Sequence, residues 1–261
     1  MLISLWRYRY FIASSIRGDL KGRFARSKLG ALWFVLHPLA QALIFAIVLS
    51  EVLGARLPDT ENDSAYAIYL LSGMAAWSLF AEILNRSITI FLEQAGAMKK
   101  IAFPRLCLPV VVWGSALVNH VLLVAAILVV FAFLGHFPGP AVLVLPLGIM
   151  LISAFAFGIG VLCGTLNVFS RDVAQVMSVV LQLWFWMTPI VYPANVIPEK
   201  LRWTAELNPM VPLVQIYQNA LLHDLWPDPA SLVYPLVAAA VAVILSFIVF
   251  RRASPELVDA L

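Results

Sequence analysis

The sequence predicts an all-α integral membrane protein, one bundle of six transmembrane helices led by an amphipathic helix. Three observations carry that expectation. The chain is 62% hydrophobic and only 12% charged, whereas a soluble chain carries about 25% charged residues. Apolar stretches of near-bilayer length recur along it, each closed by polar residues or prolines. Its lysines and arginines gather on one predicted side of the membrane. With 261 residues and several spans, little is left for a soluble domain, so a single domain over 1–261 is expected.

Residues 1–28 place Leu5, Tyr8, Ile12, Ile16, Leu20 and Phe24 three or four apart, a helical face. Arg7, Arg9, Arg17, Lys21, Arg23, Arg26 and Lys28 surround it, against Asp19 alone. An apolar stripe among basic residues suits a helix lying in the headgroup region; an ordinary surface helix has the same periodicity. Span 1 follows over 29–53, with Pro38 inside it as a kink. A short acidic loop holds Asp59, Glu61 and Asp63. Span 2 is expected over 65–84, with Glu82 and Arg86 in the favourable helical pairing at its end. Residues 85–105 are too polar to span and form a separate cytoplasmic segment, its middle a short helix ending in Lys99 and Lys100.

Span 3 covers 106–134 and ends in the breaker-rich turn GHFPGP. Span 4 covers 141–166, where Gly158, Gly160 and Gly164 permit close helix contact. Span 5 covers 174–192. Residues 193–229 form the longest external segment. Its stretch LNPMVPLVQIYQNALL is apolar but short of the ~20 residues a span needs. It reads either as short helices dipping back into the bilayer or as an external amphipathic helix. Span 6 covers 230–250 and stops at Arg251 and Arg252. This topology puts fourteen basic residues inside and three (Arg56, Lys200, Arg202) outside, so both termini are expected in the cytoplasm.

The chemistry is sparse. The chain has no GxxxxGK[ST] loop, no HExxH and no Cys/His run at metal spacing. No catalytic residue, metal or cofactor is therefore expected in the chain itself, and no nucleic acid. Titratable groups at depth, which ion-coupled transporters use, are nearly missing. If the protein moves a cargo, a partner supplies the energy. Aromatic and uncharged polar residues do occur in the spans. Trp33, His37 and Gln41 are four apart on span 1; Trp184, Thr188 and Tyr192 are four apart on span 5, with Phe185 and Trp186 alongside. Such rings can stack on the CH face of a sugar and line a path for a neutral chain; lipid-facing aromatic belts use the same residues.

The run LKGRFARSKLGALWFVLHPL resembles the N-terminal signature of permease subunits of ABC-type polysaccharide exporters: a basic helix, then Ser27, Leu29, Gly30 and Trp33, then Pro38. LNVFSRDV (166–173), TPIVYP (188–193) and LNPMVPL (207–213) are similar to later motifs of that family, in the same order. The resemblance covers nearly the whole chain. It implies a type-2 ABC transmembrane fold, with two re-entrant helices in 193–229 forming an outer gate. It implies a dimer of permeases with two ATPase subunits that bind ATP and Mg, in a bacterial inner membrane, exporting a lipid-linked polysaccharide such as O-antigen. Glu93, Gln94, Lys99 and Lys100 would then contact the ATPase. Arg171 and Asp172 match the family's RDV turn and would form an ion pair at the inner mouth. Alternatives are an exporter of a drug or small lipid on the same architecture, or a transferase acting on a lipid carrier, for which His37 is the deep candidate.

Overall fold

The computed structural model describes residues 6–24, 30, 32, 33, 36, 39, 40, 44, 65–100, 103–257 and 260. Span 1 lies outside them apart from those single positions, as do His37 and Gln41. Among the described residues there are nine α-helices and no strand. Four are long and apolar enough to cross a membrane.

Helix α1 (Arg9–Phe24) is the basic helix. Helix α2 (Ala65–Glu93) runs 29 residues without a break, about 43 Å at 1.5 Å per residue. This corrects the separate segment expected from residue 85. Ser87, Ile88, Ile90 and Phe91 continue the buried face of α2, so packing carries the helix on past the hydrocarbon core. Only after Gln94 does the short α3 (Ala95–Lys100) begin.

Helix α4 (Cys107–Phe133) ends where Gly135 takes φ 74°. There Gly135 N–H donates to Ala132 O (3.1 Å) and His136 N–H to Phe131 O (2.9 Å), closing the last turn in the way glycine allows. A 3₁₀ turn (Pro140–Val144) leads into α5 (Leu145–Phe169). Helix α6 (Asp172–Met187) has only 16 residues. Short 3₁₀ pieces and α7 (Arg202–Glu206) lead to α8 (Met210–Gln218), which widens into a π turn at Asn219–His223. Helix α9 (Pro229–Ala253) starts at Asp228, whose Oδ1 accepts from Ala230 N–H at 3.1 Å.

Helices α2 and α5 form the centre, with α4 and α8 against α2 and α9 against α5. Of the most apolar stretch of α2, 72% is buried; for α9 the share is 22%, so most of α9 is left for lipid or a partner. The expected small-residue contacts are present. A Cβ on Gly158 would meet the Ala242 carbonyl carbon of α9 at 2.6 Å, and one on Gly160 the Ser87 Cβ at 2.7 Å. At Gly164 it would overlap the Ser87 carbonyl oxygen. A second cluster closes the basic end of the bundle: Phe91 stacks on Phe250 (5.9 Å, 28°), with Met98, Leu108, Val168 and Leu257 around them.

Candidate functional site

Two places in the bundle concentrate polar groups. The first is the break after α6. Thr188 precedes Pro189, and a residue before proline avoids the helical region; Thr188 is extended at φ −103°, ψ 129°. The helix stops there, inside the bundle, and leaves carbonyls that need donors. Each is met. Tyr69 hydroxyl donates to Pro189 O (2.9 Å) and lies 3.1 Å from Tyr192 O; Tyr66 hydroxyl donates to Val191 O (2.8 Å). Gln218 Nε2 of α8 donates to Pro189 O at 3.2 Å. Tyr192 hydroxyl donates back to Trp186 O at 2.6 Å.

Asn208 is the hub of this joint. Its Oδ1 accepts from Trp184 Nε1 (2.8 Å) and from Met210 N–H (3.0 Å), while its Nδ2 donates to Thr188 Oγ1 (2.9 Å). The motifs TPIVYP and LNPMVPL, apart in sequence, are thus one structural unit. Gly73 of α2 makes room for it: a Cβ there would lie 2.7 Å from Gln218 Nε2 and 3.3 Å from an Ile190 methyl.

Helix α8 is no external amphipathic helix. Met210, Leu213, Val214, Ile216 and Tyr217 are buried, packed against α2 and α5. Tyr217 reaches the middle of α4, where its hydroxyl lies 2.8 Å from His120 Nε2. A Cβ on Gly148 would touch its ring at 3.0 Å. A short helix entering at prolines and turning back through a π turn is a re-entrant element. The π turn is tied down by His136 Nε2, 2.6 Å from Leu221 O, and by Asp224 Oδ1, which accepts from Ala141 N–H at 2.7 Å.

The face shared by Trp184 and Thr188 points into the protein, not outward. Thr188 is fully buried. Trp184 packs edge-on to Phe80 (5.2 Å) and Phe155 (6.0 Å), and Phe185 lies against Trp77 at 5.6 Å. Tyr192 leaves that face altogether because the helix ends at Met187. The open face of α6 carries Val176, Val179, Leu183 and Trp186 instead, and Trp33 is exposed as well.

The second place is the basic end. Glu93, Gln94, Lys99 and Lys100 are all exposed there, while Met98 between them is buried and anchors α3. Arg171 and Asp172 are exposed, and among the described residues no ion pair joins them. Adjacent residues at a helix start point apart. Asp172 instead sits in the first turn of α6, where the helix dipole favours an acid. The turn before it is held by Asn167, whose Nδ2 donates to Ile88 O (3.0 Å) and whose Oδ1 accepts from Ala174 N–H (3.2 Å).

The expected Glu82–Arg86 pair is present, but sequence reasoning missed the chain of polar side chains across three helices to which it belongs. Arg86 Nη2 donates to Asp19 Oδ2 of α1 at 2.8 Å, its Nη1 lies 3.5 Å from Glu82 Oε1, and Glu82 Oε1 accepts from Asn119 Nδ2 of α4 at 2.8 Å. The signal for it is Asp19, the single acid of the basic helix. The tyrosine clamps had a signal too: Tyr66 and Tyr69, three apart on an apolar helix.

A helical bundle that holds a broken span and a short re-entrant helix in its interior, and offers an exposed charged step at one end, is a multi-pass membrane permease in build. The chain belongs to the membrane-subunit family described as ABC-2 type transporter, whose family model matches residues 11–222. It is 32% identical over 212 residues to an O-antigen export system permease protein RfbA of Klebsiella pneumoniae, covering 78% of this chain and 77% of that one. An O-antigen export system permease protein RfbA of Myxococcus xanthus is 28% identical over 243 residues, 92% of this chain and 90% of its own. The polysialic acid transport protein KpsM of Escherichia coli is 23% identical over 239 residues, 89% of each.

Proposed function

We propose that this chain is the channel-forming subunit of an ATP-driven exporter that moves a lipid-linked polysaccharide across a bacterial inner membrane. The observation that carries the reading is its similarity, over most of both chains, to permeases of O-antigen export and polysialic acid transport. Two copies work with two ATPase subunits, which bind ATP and Mg. The basic end is cytoplasmic, as the distribution of lysine and arginine favours, and both termini lie there.

The exposed step Glu93, Gln94, Lys99 and Lys100 is the surface on which the ATPase docks. Its anchor Met98 packs in the same cluster as Phe91 and Phe250, so a push on α3 is received by α2 and α9. The polymer passes between copies along the open face of α6, with Trp186 and Trp33 as stacking platforms. Trp184, Phe185 and Thr188 stand behind that face and hold its shape, together with Tyr192. The re-entrant α8 braces the broken span, so that residues 188–192 form a gate region at the far end.

The test is purification of the tagged chain in mild detergent, with the co-purifying proteins identified by mass spectrometry, beside a deletion strain. Co-purification of a Walker-motif protein near one copy per permease, with polymer retained inside the deletion strain, is the expected result. A chain that brings down no ATPase and whose loss leaves surface polymer unchanged overturns the reading.

A further inference from the structure

The chain Asp19–Arg86–Glu82–Asn119 connects three helices near the basic end, and nothing in the packing alone requires it. Asp19, Arg86 and Glu82 are part-buried, with side-chain exposures of 27%, 19% and 23%. Helix α1 already has an apolar seat: Ile16 fills the space beside Gly114 of α4, and Phe11 lies 5.4 Å from Phe103. The ion pair adds a directional tie from α1 to α2, which apolar contact with α4 does not supply. Arg86 also lies two turns from Glu93, on the helix that leads directly to the exposed step. A displacement of α1 or of α3 therefore reaches Arg86 within about 10 Å of helix.

The joint has spare bonding capacity. Arg86 Nη1 and Asn119 Oδ1 are buried and make no hydrogen bond with a described residue; Ser115 Oγ, one turn from Asn119 on α4, is in the same position. Buried polar atoms are usually paired, and each exception calls for a reason. Arg86 Nη1 has its 3.5 Å ion-pair contact with Glu82, and the acceptors Asn119 Oδ1 and Ser115 Oγ on the facing helix α4 offer the guanidinium a second set of partners. An element with two discrete arrangements is what converts a small displacement into a switch.

We propose that Arg86, with Asp19, is a positioning joint that passes movement of the basic helix α1 to spans α2 and α4 during transport. This rests on the exporter reading above. In the resting arrangement Arg86 is paired to Asp19. When the partner ATPase shifts α1, the pair stretches, and the guanidinium exchanges toward Asn119 and Ser115, moving α2 against α4. Loss of the joint leaves the permease folded and the ATPase bound, but separates hydrolysis from movement of the cargo.

The experiment uses the complete permease–ATPase complex in a strain lacking the chromosomal copy. It compares wild type, Arg86→Gln, Asp19→Asn, the double variant and Arg86→Lys. Surface polysaccharide is labelled on intact cells after mild periodate oxidation; ATP turnover and complex yield are measured on the purified complexes. Export is expected to fall at least about tenfold in each neutral single variant, while ATP turnover stays within about twofold. The double variant should be no worse than either single one, as for two members of one joint, and Arg86→Lys should restore part of the export. If Arg86→Gln does not accumulate, Asp19→Asn, which keeps Arg86 beside Glu82, carries the test. Normal export in the neutral variants overturns the proposal. So does a loss that follows complex yield, which would make the pair a staple only. A wild-type complex with no ATPase and no effect on surface polymer fails the exporter reading itself and takes this inference with it.

Discussion

At the far end of the bundle the polar groups are backbone carbonyls of Trp186, Met187, Pro189, Val191 and Tyr192, met by neutral donors: Tyr66, Tyr69, Tyr192, Asn208 and Gln218. At the basic end they are charged side chains, Asp19, Glu82 and Arg86, met mainly by one another. The difference is physical. A carbonyl released in an apolar medium costs several kcal/mol if unmet, but a hydroxyl or amide satisfies it without bringing in charge. That suits a break whose residues Thr188, Ile190 and Val191 are buried in the bundle. A charge is tolerated where its side chain keeps partial exposure, as these three do, and its attraction is long-ranged. That suits a tie between elements that move. The far end is thus built as a fixed brace and the basic end as a joint.

Substitutions can break this contrast. The largest effect is expected where neither kind of polar contact operates and backbones touch. In Gly164→Leu, the new side chain overlaps the Ser87 carbonyl. Overpacking of this kind costs up to about 3 kcal/mol or more, so the variant should lose its cooperative thermal transition in detergent. A normal melting curve would mean that α2 and α5 are not packed this closely. Next comes Asn208→Ala, which strips partners from Trp184, Thr188 and Met210 together. Leaving buried polar groups unmet should cost about 2–3 kcal/mol, read as a lowered melting temperature. Tyr69→Phe leaves Pro189 O with Gln218 as a donor, so about 1 kcal/mol is expected; a loss as large as that of Asn208→Ala would move the hub of the brace to Tyr69.

The smallest stability effects belong to the basic end. Asp19→Asn should cost no more than about 1 kcal/mol, as a part-exposed pair does. A larger drop would make the pair a brace like the far end and weaken its role as a joint. Lys99→Glu with Lys100→Glu should leave the melting temperature unchanged, both side chains being exposed, while lowering the amount of ATPase recovered with the permease. Unchanged recovery would remove these lysines from the docking surface.

Helix-by-helix, much was legible. Spans expected over 106–134, 141–166 and 230–250 are found at Cys107–Phe133, Pro140–Phe169 and Pro229–Ala253, because long apolar runs between breakers leave few choices. The glycines of α5 were legible as contact points for the same reason. Less legible was the end of α2: residues 85–93 are polar enough to read as a segment separate from span 2, and the buried Ser87, Ile88 and Phe91 join them to it in one helix. The direction in which the aromatic face of α6 points was not legible. Four-residue spacing identifies residues that share a face, but Trp184 and Thr188 share the one that Asn208 and Phe80 cover. Arg171 and Asp172 adjoin in sequence, and adjacency says nothing about pairing.

What the sequence determined alone is the class of the molecule: apolar run length, breaker positions and basic-residue placement depend on local composition and on the bilayer as solvent. It also marked the motifs TPIVYP and LNPMVPL as separate features. Only the tertiary structure decided that they are one joint, that α8 folds back between α2 and α5, and that Asp19 meets Arg86. Those facts are contacts between residues far apart in the chain. Each depends on which helix face turns toward which neighbour, and periodicity identifies a face without saying what covers it.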